Sequence, residues 1–330
     1  MHIFYTIVAV SRFFGFVVCE HIMKTFLPFQ IKLPASSANI GPGFDCFGLA
    51  LQLYNVFTFS PNQHFVIDCQ GICSDALLDA ERNLLIHTYR TLCQHYDQVI
   101  QPFHLHSENH IPFEAGLGSS ATAITAGAYA FRRIYGKSLD RASIAGDAVH
   151  MENHVDNIGA CLYGGFIVGS VHVQERLQAW VRKVPLAVDF RCLIVQPDAA
   201  QTNTETSRSA LPKQLARSAC ISNIANAANL ILALTQGNAP ALFAAMDDQI
   251  HQPYRVTGDF YVLRQILKQA GALGVALSGS GPSMIVFYQQ QLPAIKSVID
   301  GHFTEQKQSY RLWELAIDHQ GMQAKDLEPV

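Results

Sequence analysis

Between positions 112 and 121 the sequence reads Pro112, Phe113, Glu114, Ala115, Gly116, Leu117, Gly118, Ser119, Ser120, Ala121. This composition suits phosphate binding. Glycines at 116 and 118 let the backbone turn tightly and approach a ligand closely, and Ser119 and Ser120 stand where the N-cap of a following helix belongs. The first amides of such a helix lack backbone partners and lie at the positive end of its dipole, so they attract phosphate. A helix cap with no ligand would use the same residues. No Lys-Ser or Lys-Thr pair follows Gly118, so this is not a Walker A loop. Compensating positive charge must then come from a metal ion or from elsewhere in the chain, and the serine hydroxyls are candidate metal contacts.

Further along, Glu152, His154, Asp156 and Asn157 crowd four polar groups into six residues. A glutamate there suits a metal, and the others suit the orientation of a substrate. Arg208 and Arg255 are planar cations in a chain with few charges. Such a pair grips a carboxylate or phosphate through bidentate hydrogen bonds, although solvated surface arginines have the same sequence appearance. Asn39 and Asp45 bracket a Gly-Pro-Gly loop, where taken alone they read as turn formers. Gly279, Ser280 and Gly281 form a second backbone surface able to approach a ligand.

Positioning these groups requires a frame. The phosphate loop sits between a strand beginning at 103–106 and a helix over 121–133. Upstream, an extended 26–33 leads into a polar loop over 34–45 and then a strand over 49–59. Helices are expected over 81–95 and 143–152, and a short strand at 167–168. Near Pro185 the character changes, and 191–195 opens a second alternating pattern. A polar segment 202–208, helices over 221–234, 239–250 and 262–270, and a strand-turn-strand unit over 275–287 complete it. The tail after Asp318 is polar and reads as frayed.

A length of 330 residues suits two domains of ordinary size. With 49% hydrophobic and only 15% charged residues the chain reads as a globular enzyme. The formal net charge of -3 leaves no basic footprint, so no nucleic-acid partner is expected. Eight scattered cysteines without a C-x-x-C pair read as reduced core residues in a reducing compartment. Residues 1–22 are apolar, but Arg12 divides them into runs too short to span a bilayer, where about 20 residues are needed, so no membrane is expected. Translation is expected to start naturally at Met23, leaving 1–22 as an upstream extension.

Three glycine-rich motifs in this order resemble the GHMP kinase superfamily: Pro-Ala-Ser-Ser-Ala-Asn-Ile-Gly-Pro-Gly-Phe-Asp at 34–45, Pro-x-x-x-Gly-Leu-Gly-Ser-Ser-Ala at 112–121 and Leu-Ser-Gly-Ser-Gly-Pro-Ser at 277–283. The first motif, His154-x-Asp156-Asn157 and Thr204-x-x-x-Arg208-x-x-Leu211-Pro212 resemble the homoserine kinase family within it. The resemblance implies a two-domain α+β fold, with a ribosomal protein S5-like domain over 23–185 and a ferredoxin-like domain over 186–330. It further implies a cytoplasmic homodimer that uses ATP and Mg2+ to phosphorylate the side-chain hydroxyl of L-homoserine. By the same resemblance Pro112, Glu114, Ala115, Gly116, Leu117, Gly118, Ser119 and Ser120 wrap the ATP phosphates, and Ser120 with Glu152 holds the metal. Asn39 and Asp45 meet the amino and hydroxyl end of the substrate, and Arg208 and Arg255 its carboxylate. Thr204, His154 and Asn157 line the space between hydroxyl and γ-phosphate, with Asp156 a possible base. Asn153 and Val155 stand where the superfamily commonly has glycine and proline, and His150 where an acidic residue is common. The competing expectations are a kinase for mevalonate or another small alcohol, and a catalytically silent metabolite-binding regulator.

Overall fold

Alternation of buried apolar and more accessible residues builds the first sheet: Phe29, Ile31 and Leu33 point into one core while Gln30 and Lys32 lie toward its surface. The computed structural model describes residues 26–173, 177–198 and 204–328. Residues 1–22 and Met23 lie outside the described residues. In chain order the first half holds β1 (Phe29–Ala38), β2 (Phe47–Pro61), β3 (Val66–Gly71), α1 (Asp75–Leu78), α2 (Leu84–His95), β4 (Phe103–Asn109), α3 (Ser119–Ile134), α4 (Arg141–Ala148), α5 (Asp156–Tyr163), β5 (Phe166–Val173) and β6 (Leu177–Val184). The second half holds β7 (Arg191–Pro197), α6 (Thr204–Ser209), α7 (Arg217–Gln236), α8 (Ala239–Ala245), α9 (Gln252–Arg255), α10 (Gly258–Gln269), β8 (Gly274–Leu277), β9 (Met284–Tyr288), α11 (Leu292–Glu305), β10 (Tyr310–Leu315) and β11 (Gln323–Asp326). The architecture is mixed α+β.

The first sheet runs β11-β1-β2-β4-β3, and the long β2 also pairs with β5, which pairs with β6. Among the described strands of this sheet only β3 and β4 pair in parallel. The second sheet runs β10-β7-β9-β8 and is antiparallel throughout. Strands β7, β8 and β9 are buried on both faces, while β10 exposes Arg311 and Glu314. Cys192 and Ile194 of β7, with Ile285 and Phe287 of β9, face a core shared with Ala35, Leu49 and Phe166 of the first sheet and Leu117 of the phosphate loop. Leu193, Val195, Met284 and Val286 face the opposite way, onto Leu263 of α10 and Ile299 and Phe303 of α11. The shared core therefore fixes the two sheets against each other, and burial of apolar area at about 25 cal/mol per Å² is the force that does so.

Several elements depart from expectation. β1 continues to Ala38, past the loop expected from Pro34, because its register with β2 shifts between Pro34 and Ala35 and then resumes. The polar segment 202–208 contains a helix, α6. α8 stops at Ala245, short of 250, where the Asp248 carboxylate accepts hydrogen bonds from the amides of Ile250, His251 and Gln252 and turns the chain. The tail is not frayed over 323–326: β11 pairs antiparallel with β1. All four of its residues are exposed, so backbone ladder bonds rather than burial hold it.

The expectation of uniformly reduced cysteines is also corrected. Cys69 and Cys73 form a disulfide across the turn that leaves β3. Cys73 is exposed and Cys69 half-buried, and between them Gly71 in a left-handed conformation (φ +78°) reverses the chain. Cys93, Cys161 and Cys192 are buried and free, as expected of core residues, while Cys46 and Cys220 are free and half-buried.

The starts of α2 and α4 are set by side chains. Asn83 caps α2 by accepting from the amides of Leu85 and Ile86 at 3.0 and 3.2 Å. Asp140 caps α4 by accepting from the Ser143 amide at 2.8 Å. Hydrogen bonds from Ser138 and Ser143 hold the Asp140 carboxyl down at about 2. Asp140→Ala is expected to lower stability by about 1 kcal/mol at neutral pH. A carboxyl with a depressed folded-state pKa stabilises above its unfolded value and loses that contribution as pH falls through about 2. Thermal melts of the two proteins should therefore differ at pH 7 and converge in strong acid.

Candidate active site

The three glycine-bearing segments meet at one seam. Gly116, at φ +64°, brings its backbone so close to the second half of the chain that an added Cβ would lie 2.2 Å from the Ser278 carbonyl oxygen. The Ser278 hydroxyl donates to the Gly116 carbonyl at 2.7 Å and also contacts the Ser37 hydroxyl at 2.9 Å. Backbone bonds run from Ser36 to Leu117 and from Gly279 to Ala38, each at 3.0 Å. Asn39, in the left-handed region at φ +63°, donates from Nδ2 to the Gly279 carbonyl at 2.9 Å and accepts the Asp45 amide at 2.8 Å. Its side chain therefore braces two motifs while lining the cavity described below.

The N-cap of α3 is Gly118 (φ +71°), not a serine; Ser119 and Ser120 are the first two helical residues, so their amides are free of intrahelical partners. A Cβ at position 118 would lie 2.1 Å from the Ser36 hydroxyl, which itself donates to Asn157 Oδ1 at 2.8 Å. Glycine is required there on both counts.

At this seam lies a cavity of about 410 Å³. Its walls bring together Pro112, Glu114 to Ser120, Glu152, His154, Asn157, Arg208, Arg255 and Asn39. Gly279 and Ser280 of the second glycine turn also line it, as that turn's reading as a ligand-approaching surface anticipated, and so does Phe113, which was given no role. Asp45 is joined to this wall through Arg208, whose guanidinium grips it with two hydrogen bonds of 2.6 and 3.1 Å. Thr204 opens α6, and its side chain lies outside the described residues.

Electrostatics divide the cavity. Burial raises the Glu152 carboxyl above its usual range, and its Oε2 is buried without a hydrogen-bond partner among the described residues. His154 Nδ1 lies 2.7 Å from Asp156 Oδ1. Burial opposes charge on His154, but the hydrogen bond to Asp156 and the nearby carboxylates of Asp156, Glu152 and Asp45 outweigh it and hold the imidazolium up at about 9. Asp156 is wholly buried beneath His154 and also accepts the Asn157 amide, so it orients both neighbours. Asp45, His154 and Asp156 place ligand atoms within 4.8 Å of one another. With a proton on His154 this cluster is a poor metal cage, whereas Glu152, whose Oε2 has no partner among the described residues, lines the same cavity as Ser120 and offers oxygen to a hard cation.

On the far side, Arg208 and Arg255 converge. Both guanidiniums lie over the ring of Phe44, with Cζ 5.6 and 5.1 Å from its centroid. The loop carrying Phe44 is held by residues that sequence reasoning missed. The wholly buried His251 lies within 2.9 and 3.1 Å of the Gly41 and Asn39 carbonyls through Nε2, and burial keeps its ring neutral, so that nitrogen is the donor. Asn223 of α7 donates to the Pro42 carbonyl at 2.8 Å. His251 stood four residues from Arg255 and Phe44 beside Asp45, which was the signal available.

The sequence matches the GHMP kinases N terminal domain over residues 83–165 and the GHMP kinases C terminal domain over 230–303. It is 34% identical to a homoserine kinase of Solibacter usitatus over 278 residues, 83% of this chain and 90% of that protein. This chain belongs to the homoserine kinase family. A homoserine kinase of Synechocystis sp. is 35% identical over 281 residues, 82% of this chain and 90% of that one. The crystal structure of homoserine kinase from Cytophaga hutchinsonii superposes with a TM-score of 0.76 at 25% identity, covering 96% of this chain and all of that one. The homoserine kinase fold thus explains why glycine motifs far apart in sequence share one seam.

Gly116→Ala should disrupt that seam, since the new methyl group both collides with the Ser278 carbonyl and disfavours the left-handed backbone. The expected result is a loss of roughly 2 kcal/mol or more of stability, together with weakened nucleotide binding, read by thermal melts with and without ATP.

Proposed function

We propose that this protein transfers the γ-phosphoryl group of ATP to the side-chain hydroxyl of L-homoserine, giving O-phospho-L-homoserine on the route to threonine. The observation that carries the reading is one cavity lined both by free helical amides and by Arg208 and Arg255, with Asp45 paired to Arg208 beside it to complete a zwitterion-matching set. The amides from Gly116 to Ser120 bind phosphate oxygens at the positive end of α3. Glu152 and Ser120 supply oxygen ligands for Mg2+, which when bound neutralises charge on the phosphates.

Arg208 exchanges partners in this reading. Asp45 turns to the substrate ammonium, and the substrate carboxylate takes its place between Arg208 and Arg255, satisfying the buried Nη1 of Arg255, which has no partner among the described residues. Asn39, Asn157 and His154 line the path between hydroxyl and phosphate. Catalysis then comes from positioning and electrostatics. Asp156 is buried under His154 and does not act as a base, and the hydroxyl proton passes to a phosphate oxygen. A mevalonate-type alcohol would leave the ammonium site without a partner, which disfavours that reading.

We assign the protein to the cytoplasm as a homodimer formed through α7. This helix is long and apolar enough to cross a membrane by composition alone, yet it packs Leu230, Ala233 and Leu234 into the shared core and hydrogen-bonds the Asp45 loop through Asn223. Its outer face carries Ile221 and Ile224 at 60% and 69% exposure, a self-complementary surface without charge.

Coupled ADP release with ATP, Mg2+ and either L-homoserine, mevalonate, L-serine or L-threonine tests the reading. Turnover on homoserine is expected, and Arg255→Ala should raise the homoserine KM by roughly 10- to 100-fold through loss of charged hydrogen bonds. Turnover on mevalonate alone would overturn the assignment. The imidazolium of His154 is present below its raised pKa and lost as pH rises through about 9. Asp156→Asn removes the carboxylate charge that helps raise it, so the alkaline fall in kcat should move down by about one pH unit or more. A base role for Asp156 would instead abolish turnover at every pH.

A further inference from the structure

The two arginines facing the cavity are like charges in a partly dry wall, and they are unequally supported. Arg208 has Asp45 as an ion-pair partner. Among the described residues Arg255 has a 3.3 Å hydrogen bond from Nε to the Ser207 carbonyl, and its Nη1 is buried with no partner. Burial and then the charge of Arg208 both lower its pKa from the usual value. What the two share is Phe44. Their guanidinium carbons lie 5.6 and 5.1 Å from the centre of its ring, within the reach of cation–π attraction. The ring itself cannot drift. It stacks at 5.4 Å and 23° on His251, which is wholly buried and bonded to the Asn39 and Gly41 carbonyls and, through its amide, to Asp248.

We propose that Phe44 is a positioning residue for substrate carboxylate recognition, a shared aromatic surface that holds both guanidiniums in place while their ionic partners change. The inference rests on the homoserine kinase reading of the cavity. An ion pair with Asp45 can place Arg208 only while that pair lasts, and it does nothing for Arg255. The ring face is indifferent to which carboxylate is present. It also draws two repelling cations to one point, so the clamp is formed before the substrate arrives and its ordering cost is already met.

The test uses the full-length protein with Phe44→Leu, which keeps an apolar side chain but removes the π face, and Phe44→Tyr, which keeps the face. Phe44→Leu should raise the KM for L-homoserine roughly 5- to 30-fold, the loss of two cation–π contacts, with kcat and the KM for ATP within about twofold of the unaltered protein. Phe44→Tyr should restore the homoserine KM. The inhibition constant of 3-aminopropan-1-ol, which keeps amine and hydroxyl but has no carboxylate, should be the same for all three proteins. An unmoved homoserine KM in Phe44→Leu, or an equal weakening for 3-aminopropan-1-ol, would overturn the inference while leaving the kinase reading standing. If Phe44→Leu proves unstable in thermal melts, Phe44→Tyr decides: a homoserine KM raised as in a carboxylate-clamp loss overturns the inference, and a restored one supports it. No homoserine turnover by the unaltered protein would remove both readings together.

Discussion

The hydrogen bond from the Ser278 hydroxyl to the Gly116 carbonyl is the contact on which the cavity depends. It forms only because Gly116 has no side chain, and it joins a loop of the first half to a turn of the second across 162 residues of sequence. Around it, Ser36, Ser37, Ala38 and Asn39 add further hydrogen bonds to the two turns. Buried polar groups without partners are costly, and here each motif supplies the partners that another lacks. The loop shape that presents free amides to phosphate is therefore a property of the assembled pair of sheets, not of the loop alone.

Charge placement follows the same logic. The wall near α3 concentrates unpaired donors, and Glu152 and Asp156 add carboxylate oxygens that find no partner among the described residues. Such groups are tolerated because the shared apolar core beneath them supplies the stability that they withhold. The opposite wall holds two cations and one carboxylate that compensate each other only in part. A polar site of this kind is poised to accept a zwitterion, whose own charges complete both halves.

Much of this was legible in the sequence, and the limits have physical causes. The helix over 81–95, the phosphate-loop helix and the strands β7, β8 and β9 of the second sheet declare themselves through periodicity and were expected within a few residues, whereas β10 was not. The cavity-lining residues lay in motifs whose glycines and polar groups were visible. What periodicity cannot show is which turns touch: the brace between Asn39 and Gly279, or the convergence of Arg208 and Arg255 on Phe44, depends on the register of separate sheets. Local hydrogen bonding hid other features. Asp248 ended α8 early by capping amides beyond it, and the Cys69–Cys73 pair formed because a left-handed glycine turned the two cysteines toward each other. β11 has no apolar side to reveal it, since its four residues are all exposed.

That last strand has a consequence for how the molecule is made. β11 closes the outer edge of β1, yet every other described strand and helix is synthesised between them. Until β11 emerges β1 therefore presents an open edge, the feature by which nascent sheets recruit wrong neighbours. The second sheet is, in topological terms, an insertion into the first, and the amino-terminal half cannot be completed in isolation however well its own core packs.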